Sequence, residues 1–181
     1  MAASEPQRPT VNPSSEGSSG DATGRHAQIE CLSAPALAER LAEEINRAER
    51  HGTPLSCLLV SIENLPELAA HHGRDLSEQA LAYAGPALMR ELRRFDRVGR
   101  PSESELLVVL PGADGPRGEI VARRVIDRLR AIKIESEGVR RSLRVSVGLA
   151  AWRKDLSVEQ LLAQTRAAAR HERDEFAGSV A

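Results

Sequence analysis

Two carboxylates at the tip of a predicted hairpin are the side chains that most directly suggest a binding or catalytic site. The stretch runs from Asp96 to Gly112 and has the sequence DRVGRPSESELLVVLPG. Residues 106–110 form a short apolar run bounded by turn formers, which predicts a buried central strand after a strand over 96–100 and a turn over 101–104. The tip holds Glu103 and Glu105, whose oxygens suit divalent cations. It lacks the glycine, asparagine or aspartate that hairpin turns usually place at their centre.

A second group of reactive side chains lies just before this hairpin, in the sequence Arg93-Arg-Phe-Asp96. A guanidinium fork can bind a phosphate or the Hoogsteen edge of guanine, and a carboxylate can accept from guanine N–H groups. An alternative is that this segment is an ordinary solvated helix end. Arg93 and Asp96 would then pair with each other at i, i+3 for a few tenths of a kcal/mol.

Helices and strands around these residues follow from apolar spacing and capping residues. Ser33 and Pro35 predict the start of a first helix, which buries Leu37, Leu41, Ile45 and Ala48 and ends near Gly52. The remaining predicted elements are a buried strand over 55–62, a helix over 76–93 with a kink or break at Pro86, a helix from Asp114-Gly115-Pro116, a half-buried strand over 143–149, and a last helix with a capping box of Ser157 and Gln160.

The hairpin stretch resembles the signature of GGDEF domains, the diguanylate cyclases. The matching residues are Asp96, Val98, Arg100, Glu105 and Pro111. A late V-x-V-S-x-G-x-A-like stretch over 145–150 resembles the family as well. The resemblance implies an α/β (α+β) fold of the nucleotide-cyclase palm type, with a central, mostly antiparallel sheet flanked by helices and the hairpin at the former active site. It assigns residues 29–181 to this degenerate domain, and residues 1–28 are predicted to be a disordered tail because they are rich in Ser, Gly and Pro.

The signature itself is replaced by Ser-Glu-Ser-Glu-Leu. The resemblance implies magnesium-binding carboxylates where the chain has Ser61 and Ser104, and phosphate-cradling glycines where it has Ser102 and Glu103. Any Cβ obstructs close approach of a phosphate to the backbone, and Mg²⁺ needs carboxylate oxygens. The family's guanine-reading Asn and Asp fall at Ala69 and Glu78. Glu63 and Glu105 remain, and could bind a metal only in a shifted position. We therefore predict that cyclase activity is lost, with no catalytic residue, no metal site and no Mg²⁺ cofactor.

A ligand site that does not require catalysis is also implied by the resemblance. Many GGDEF domains bind cyclic di-GMP at an inhibitory site marked R-x-x-D, and here that site maps onto Arg93, Asp96 and, from the next helix, Arg124. The prediction is a cyclic di-GMP receptor that transmits its state to a signalling protein. The alternatives are a nucleotide-independent scaffold for protein–protein interaction and a domain that binds GTP without turnover.

The composition of the chain restricts the classes of partner that we expect it to bind. The 181 residues carry a net charge of −1, with one Trp, one Tyr and two Phe, so nothing favours nucleic-acid binding. The sequence has neither a long apolar run nor a signal-peptide pattern, which predicts no membrane association. We expect a cytoplasmic protein of bacterial signalling, with a homodimer as a further possibility.

Overall fold

The computed structural model describes residues 31–136 and 138–178, so the predicted tail over 1–28 lies outside the described residues. Five helices and seven strands alternate along this part of the chain. In order they are β1 (Cys31–Ser33), α1 (Ala34–His51), β2 (Leu55–Ile62), α2 (Leu65–His72), α3 (Arg74–Met89), β3 (Arg97–Ser102), β4 (Glu105–Pro111), α4 (Gly115–Arg130), β5 (Lys133–Ser136), β6 (Val139–Ser142), β7 (Val145–Ala151) and α5 (Val158–Gly178).

A five-stranded sheet in the order β1-β3-β4-β2-β7 forms the centre of the domain, and β5 and β6 form a separate two-stranded hairpin. Only the β1–β3 pairing is parallel, while β3–β4, β4–β2 and β2–β7 are antiparallel. The predicted α+β fold with a mostly antiparallel central sheet is therefore confirmed.

Helices cover both faces of this sheet, because alternate residues of each strand point to opposite sides. On β2, Leu58, Val60 and Ile62 enter a core cluster shared with α2, α3 and α4. Their neighbours Cys57 and Leu59 enter a second cluster shared with α1 and α5. This explains why residues 55–62 are nearly all apolar, as is typical of a strand buried on both faces.

Gly148 is a position where a helix packs directly against the sheet. A Cβ built on it would lie 2.2 Å from the carbonyl oxygen of Thr165 and 2.3 Å from the amide nitrogen of Ala169, both backbone atoms of α5. No side chain can be accommodated at that distance, so glycine at this place allows α5 to pack directly on β7.

Several predicted boundaries were wrong. The helix predicted over 76–93 starts at Arg74 and ends at Met89, and it continues through Pro86 without the break that was one of the two expected outcomes. The segment before it contains α2, a helix that was not predicted, with Pro66 in the first turn. Three short strands, β1, β5 and β6, were not predicted. Within the described ranges, none of the helices combines the length and apolar character needed to cross a bilayer.

Candidate functional site

The β3–β4 hairpin forms without glycine because a bulge changes its register. Gly99 pairs with Leu107 and Ser102 with Glu105, so residues 100 and 101 together lie opposite residue 106. Pro101, which has no N–H to donate to the ladder, is at this irregularity, where a missing donor costs little. The turn is consequently two residues long, residues 103 and 104, and shorter than the turn predicted over 101–104.

Hydrogen bonds within the hairpin satisfy most of the polar groups at its tip. The hydroxyl of Ser102 donates to Glu105 Oε2 at 3.0 Å. The guanidinium of Arg100 donates to two backbone carbonyls, that of Ser102 at 3.2 Å and that of Glu103 at 2.8 Å. The carbonyl of Ser104 accepts from the backbone N–H of Ile62 at 2.9 Å. The tip is thus held by its own side chains, and the carbonyls of residues 102 and 103 already face a cation, Arg100.

Strand β2 brings its end against the same hairpin. Ser61 lies between Glu105 on β4 and Ser146 on β7 in the strand register. Two residues further, Glu63 Oε1 accepts from the hydroxyl of Ser146 at 2.5 Å, and Glu63 Oε2 lies 3.7 Å from Arg173 Nη1. Both oxygens of Glu63 are therefore engaged by other side chains. Within the ranges 31–136 and 138–178, no three or more His, Cys, Asp or Glu side chains gather as a metal site would require.

The positions implied for guanine recognition are on two helices beside the hairpin. Ala69 is half-buried on α2, and Glu78 is exposed on α3. Arg74, at the start of α3, lies 3.8 Å from Glu103 at the hairpin tip, with both side chains largely in solvent. Because an exposed pair at that distance contributes little, the tip is positioned by its internal bonds rather than by α3.

The R-x-x-D segment forms a tight loop that turns its carboxylate inward. Asp96 is 3% exposed, and its Oδ2 accepts from the backbone N–H of Arg93 at 2.7 Å. Its own N–H donates to the carbonyl of Arg93 at 3.0 Å. Burial raises the pKa of Asp96, although the N–H of Arg93 and the charges of Arg93 and Arg97 act against this shift. Asp96 is thus joined to the backbone of Arg93 and not to its side chain. The exposed guanidinium of Arg93 is 5.8 Å from the ring centroid of Phe95.

Arg124 reaches the same segment through Glu91, a residue that the sequence did not single out. Glu91 Oε2 accepts from Arg124 at 2.9 Å, and Oε1 accepts from Arg128 at 2.8 Å. The Glu91 side chain is 9% exposed, whereas those of Arg124 and Arg128 are about half exposed at 54% and 53%. The hydrogen bond from Arg128, assisted by Arg124, lowers the pKa of Glu91 against the opposing effect of burial.

The structure therefore links Arg124, through Glu91, to the segment that carries the exposed Arg93, which outlines one candidate surface, and it turns the carboxylate of Asp96 into the loop. Glu91 and Arg128 are added to this surface. Since Glu91 is 33 and 37 residues away from its two partners, no local spacing indicated the contact. The i, i+4 spacing of Arg124 and Arg128 was the only available signal, and it places both side chains on one face of α4.

Comparison with known proteins identifies the fold and its family. A sequence profile described as "Diguanylate cyclase, GGDEF domain" matches residues 34–177, which is most of the chain. The chain belongs to the GGDEF family. This match extends over both candidate surfaces, the hairpin with β2 and the R-x-x-D loop with α4, so the residues of both lie inside the GGDEF domain.

Individual GGDEF proteins are similar at a modest level. The diguanylate cyclase DosC of Escherichia coli (strain K12) is 28% identical over 120 residues, which is 66% of this chain and 26% of DosC. The chain thus spans about a quarter of the length of that relative.

Two solved structures show the likeness of fold. The diguanylate cyclase SiaD of Pseudomonas aeruginosa, solved with its activator SiaC, superposes with a TM-score of 0.76 at 26% identity over 80% of this chain and 56% of SiaD. The GGDEF domain of DgcB from Caulobacter crescentus, solved with c-di-GMP, gives 0.77 at 14% identity over 84% of this chain and 94% of that chain.

Proposed function

We propose that this chain is a GGDEF signalling domain that binds ligands without turning over GTP. The observation that carries the proposal is the hairpin tip, where Ser102, Glu103 and Ser104 replace the residues that the family resemblance implies for phosphate and metal. Glu103 adds a negative charge, its side chain being 90% exposed, at the place where a triphosphate would bind. Phosphoryl transfer depends on positioning and charge neutralisation, so these replacements act against both requirements.

The remaining carboxylates do not match the donor set that Mg²⁺ prefers. Ser61 and Ser104 offer neutral oxygens at the two positions implied for metal-binding carboxylates. Glu63 accepts from Ser146 and lies near Arg173, while Glu105 accepts from Ser102. An octahedral magnesium site would have to take its carboxylate oxygens from these two already engaged side chains, one at the end of β2 and one at the start of β4. The residues present therefore do not fit the metal.

A direct assay tests the absence of turnover. Purified protein is incubated with GTP and either Mg²⁺ or Mn²⁺, with an active GGDEF domain as the positive control, and nucleotides are separated by chromatography. We expect no cyclic di-GMP above the enzyme-free background. Product that disappears in a Glu105→Gln variant would contradict the proposal, because it would show that the retained carboxylate supports catalysis.

For the ligand we propose cyclic di-GMP, bound by the surface around Arg93 and Arg124. Arg93 is exposed, and Arg124 and Arg128 are half exposed and joined to Glu91 on the adjoining segment. Guanidinium groups bind phosphate oxygens and the Hoogsteen edge of guanine in bidentate geometry. Asp96 would then act by holding the loop in shape, since its carboxylate already accepts from the backbone of Arg93. The DgcB structure supports the proposal in that a domain of this fold was solved with c-di-GMP.

Calorimetric titration with cyclic di-GMP tests this site, with GTP and Mg²⁺ as the comparison ligand. We expect micromolar binding of cyclic di-GMP that falls roughly tenfold or more in Arg93→Ala and Arg124→Ala, a loss typical of a charged hydrogen-bonding partner. Arg166→Ala is the matched control, because Arg166 is exposed on α5, which packs on the other face of the sheet. Binding that ignores Arg93 and Arg124 would contradict the assignment.

Glu91 provides a variant expected to change affinity in the opposite direction. Its carboxylate competes with a ligand phosphate for Arg124 and Arg128, so the Glu91→Gln variant should bind cyclic di-GMP more tightly, by about tenfold if one charge-assisted contact is released. The measurement is the same titration, with circular dichroism to confirm folding. A Glu91→Gln variant that binds more weakly than the native protein would show that Glu91 positions the arginines rather than competing for them.

The second candidate function is a protein–protein scaffold that ignores nucleotides. The SiaD structure favours keeping it, because that relative was solved with an activator protein. If the titration shows no binding of either cyclic di-GMP or GTP, the scaffold becomes the leading function. A homodimer remains part of this alternative, and sedimentation at several protein concentrations would reveal it.

A further inference from the structure

A cleft between α3 and the connection from α4 to β5 shares Arg128, but none of its other lining residues, with the surface proposed for cyclic di-GMP. It has a volume of about 400 Å³ and lies on the side of α3 that faces Ala131 and Lys133. Tyr83, the only tyrosine of the chain, lines it and is 59% exposed, and Pro86 lies one turn further along α3. Exposed aromatic residues beside a concave surface are typical of protein-binding sites.

Charge gives the cleft a definite preference. Three cations line it, Arg90, Arg128 and Lys133, and none of its lining residues is acidic, although the whole chain carries a net charge of −1. Arg128 uses its Nε to bind Glu91, and Lys133 donates to the hydroxyl of Ser142. No described carboxylate lies within ion-pairing distance of Arg90. Carboxylates of a partner would therefore meet guanidinium groups, which bind them in planar, bidentate geometry.

Pro86 adds a hydrogen-bond acceptor to the same wall. Proline has no N–H, so the carbonyl of Ala82, four residues earlier, loses the donor that it would have in a regular helix. Both Ala82 and Pro86 are exposed and line the cleft, while α3 continues to Met89. The helix thus presents a carbonyl that a backbone or side-chain N–H of a bound segment can satisfy.

We propose that this cleft is a docking site for a partner protein, which inserts a segment carrying one or two carboxylates and an apolar side chain that packs against Tyr83. The apolar stretch at Ala82, Pro86 and Ala87 receives the apolar side chain, and the three cations receive the carboxylates. A nucleic acid matches the site less well, because a single aromatic ring offers no continuous stacking surface. This inference does not rest on the cyclic di-GMP proposal, and its tests use Tyr83, Pro86 and Arg90, which are outside the surface proposed for that ligand, although Arg128 belongs to both.

A random library of twelve-residue peptides displayed on phage, panned against the whole chain, tests the site. We expect enrichment of peptides that combine Asp or Glu with a large apolar residue. A synthetic peptide from that set should lose affinity by roughly tenfold or more in the Tyr83→Ala and Arg90→Glu variants. Ile120→Ala is the matched control, since Ile120 is 61% exposed on α4 and outside the cleft. Panning without acidic enrichment, or binding equal in all variants, would overturn the proposal.

A Pro86→Ala variant separates docking from a merely structural role. The new N–H can donate to the Ala82 carbonyl and regularise the helix, so thermal stability should rise while peptide affinity falls. Unchanged peptide affinity in this variant would show that the Ala82 carbonyl takes no part in binding. If the chain self-associates and Tyr83→Ala abolishes that association, the occupant is a second copy of the chain, and the proposal of a separate partner protein is overturned.

Discussion

Asp96 shows how a residue that a sequence pattern assigns to a ligand can be used by the fold. Its carboxylate is 3% exposed and accepts from the N–H of Arg93. The same side chain that would accept from guanine thus closes the loop on which Arg93 is displayed. A substitution at Asp96 should therefore change the stability of the loop, whereas a substitution at Arg93 should change only binding.

The raised pKa of Asp96 predicts a specific pH dependence of folding. Burial raises the pKa of Asp96 above its ordinary value of 3.8. At pH values between 3.8 and the raised pKa, the native state therefore binds more protons than the unfolded state. The free energy of unfolding must then fall as pH rises through that window. The Asp96→Asn variant lacks this titration, so native stability minus variant stability should decrease as the pH is raised from 3.8.

Urea denaturation of both proteins at fixed ionic strength, in steps from pH 3 to pH 7, measures this difference. Asp127→Asn is the control, since Asp127 is exposed on α4 and reports the background effect of removing one acid. A flat difference would show that the N–H of Arg93 cancels the effect of burial on the pKa of Asp96, and a difference that increases with pH would show that it outweighs burial; either result would contradict the prediction.

Single residues were predictable where their partners are close in sequence. Ser157 and Gln160 form both bonds of the predicted capping box, at 2.9 and 3.3 Å. Ser33 begins α1 as predicted but makes no side-chain capping bond. Asn64 donates to the carbonyl of Ser142 and accepts from the N–H of Arg144. Such contacts, like those of Glu91, span tens of residues and depend on chain packing, which residue types alone do not reveal.

At the level of elements, the contact between α5 and β7 depends on the absence of a side chain at Gly148. An alanine Cβ there would meet backbone atoms of Thr165 and Ala169, which cannot rotate away. At Gly118 on α4 a Cβ would instead meet the side chain of Leu149, at 2.8 Å, and Leu149 is only half-buried. The two glycines therefore provide a matched pair that differs in what the new methyl group displaces.

We expect Gly148→Ala to lower the free energy of unfolding by about 3 kcal/mol or more, because α5 must move off the sheet. Gly118→Ala should remain within about 1 kcal/mol of the native protein, since the gain in helix propensity offsets the displacement of Leu149. Urea denaturation monitored by circular dichroism measures both. Equal losses in the two variants would mean that α5 adjusts its position as easily as a leucine side chain.

Elements with strong periodicity or long apolar runs were predicted from the sequence, and short ones were not. The buried face of α1 and the strands β2 and β4 follow from their apolar residues. α2 is eight residues long, too short for its apolar residues to show a clear helical period, and it was not predicted. β5 and β6 carry charged residues and pair only with each other, so neither burial pattern nor length distinguished them from a loop.

The whole domain is organised around two cores that share the same strands. Leu58 and Val108 belong to the first cluster, and the residues that follow them in sequence, Leu59 and Val109, belong to the second. Loss of one core therefore removes one face of β2 and β4, which the other core also needs. Cooperative unfolding in one step follows from this sharing.

Trp152, the only tryptophan, packs against the second cluster and allows this cooperativity to be measured. We expect Leu58→Ala, in the first cluster, to lower the unfolding midpoint of Trp152 fluorescence and of far-UV circular dichroism equally. The loss should be about 2 to 5 kcal/mol for a fully buried leucine. If Leu58→Ala leaves the fluorescence transition in place while the dichroism transition shifts, the two cores unfold separately.

The hydrogen bonds at the hairpin tip affect which single substitutions the tip can accept during evolution. Ser102 binds Glu105, and Arg100 binds the carbonyls of residues 102 and 103, so the replaced residue Ser102 is held by two residues that match the family signature. A glycine returned at 102 would remove the donor to Glu105, and an acid returned at 104 would add charge between Glu103 and Glu105. Single steps toward a glycine-containing phosphate-binding loop thus weaken the present turn. Under the proposed function, mutation one residue at a time works against a return to turnover, and the tip is expected to persist as part of a binding domain.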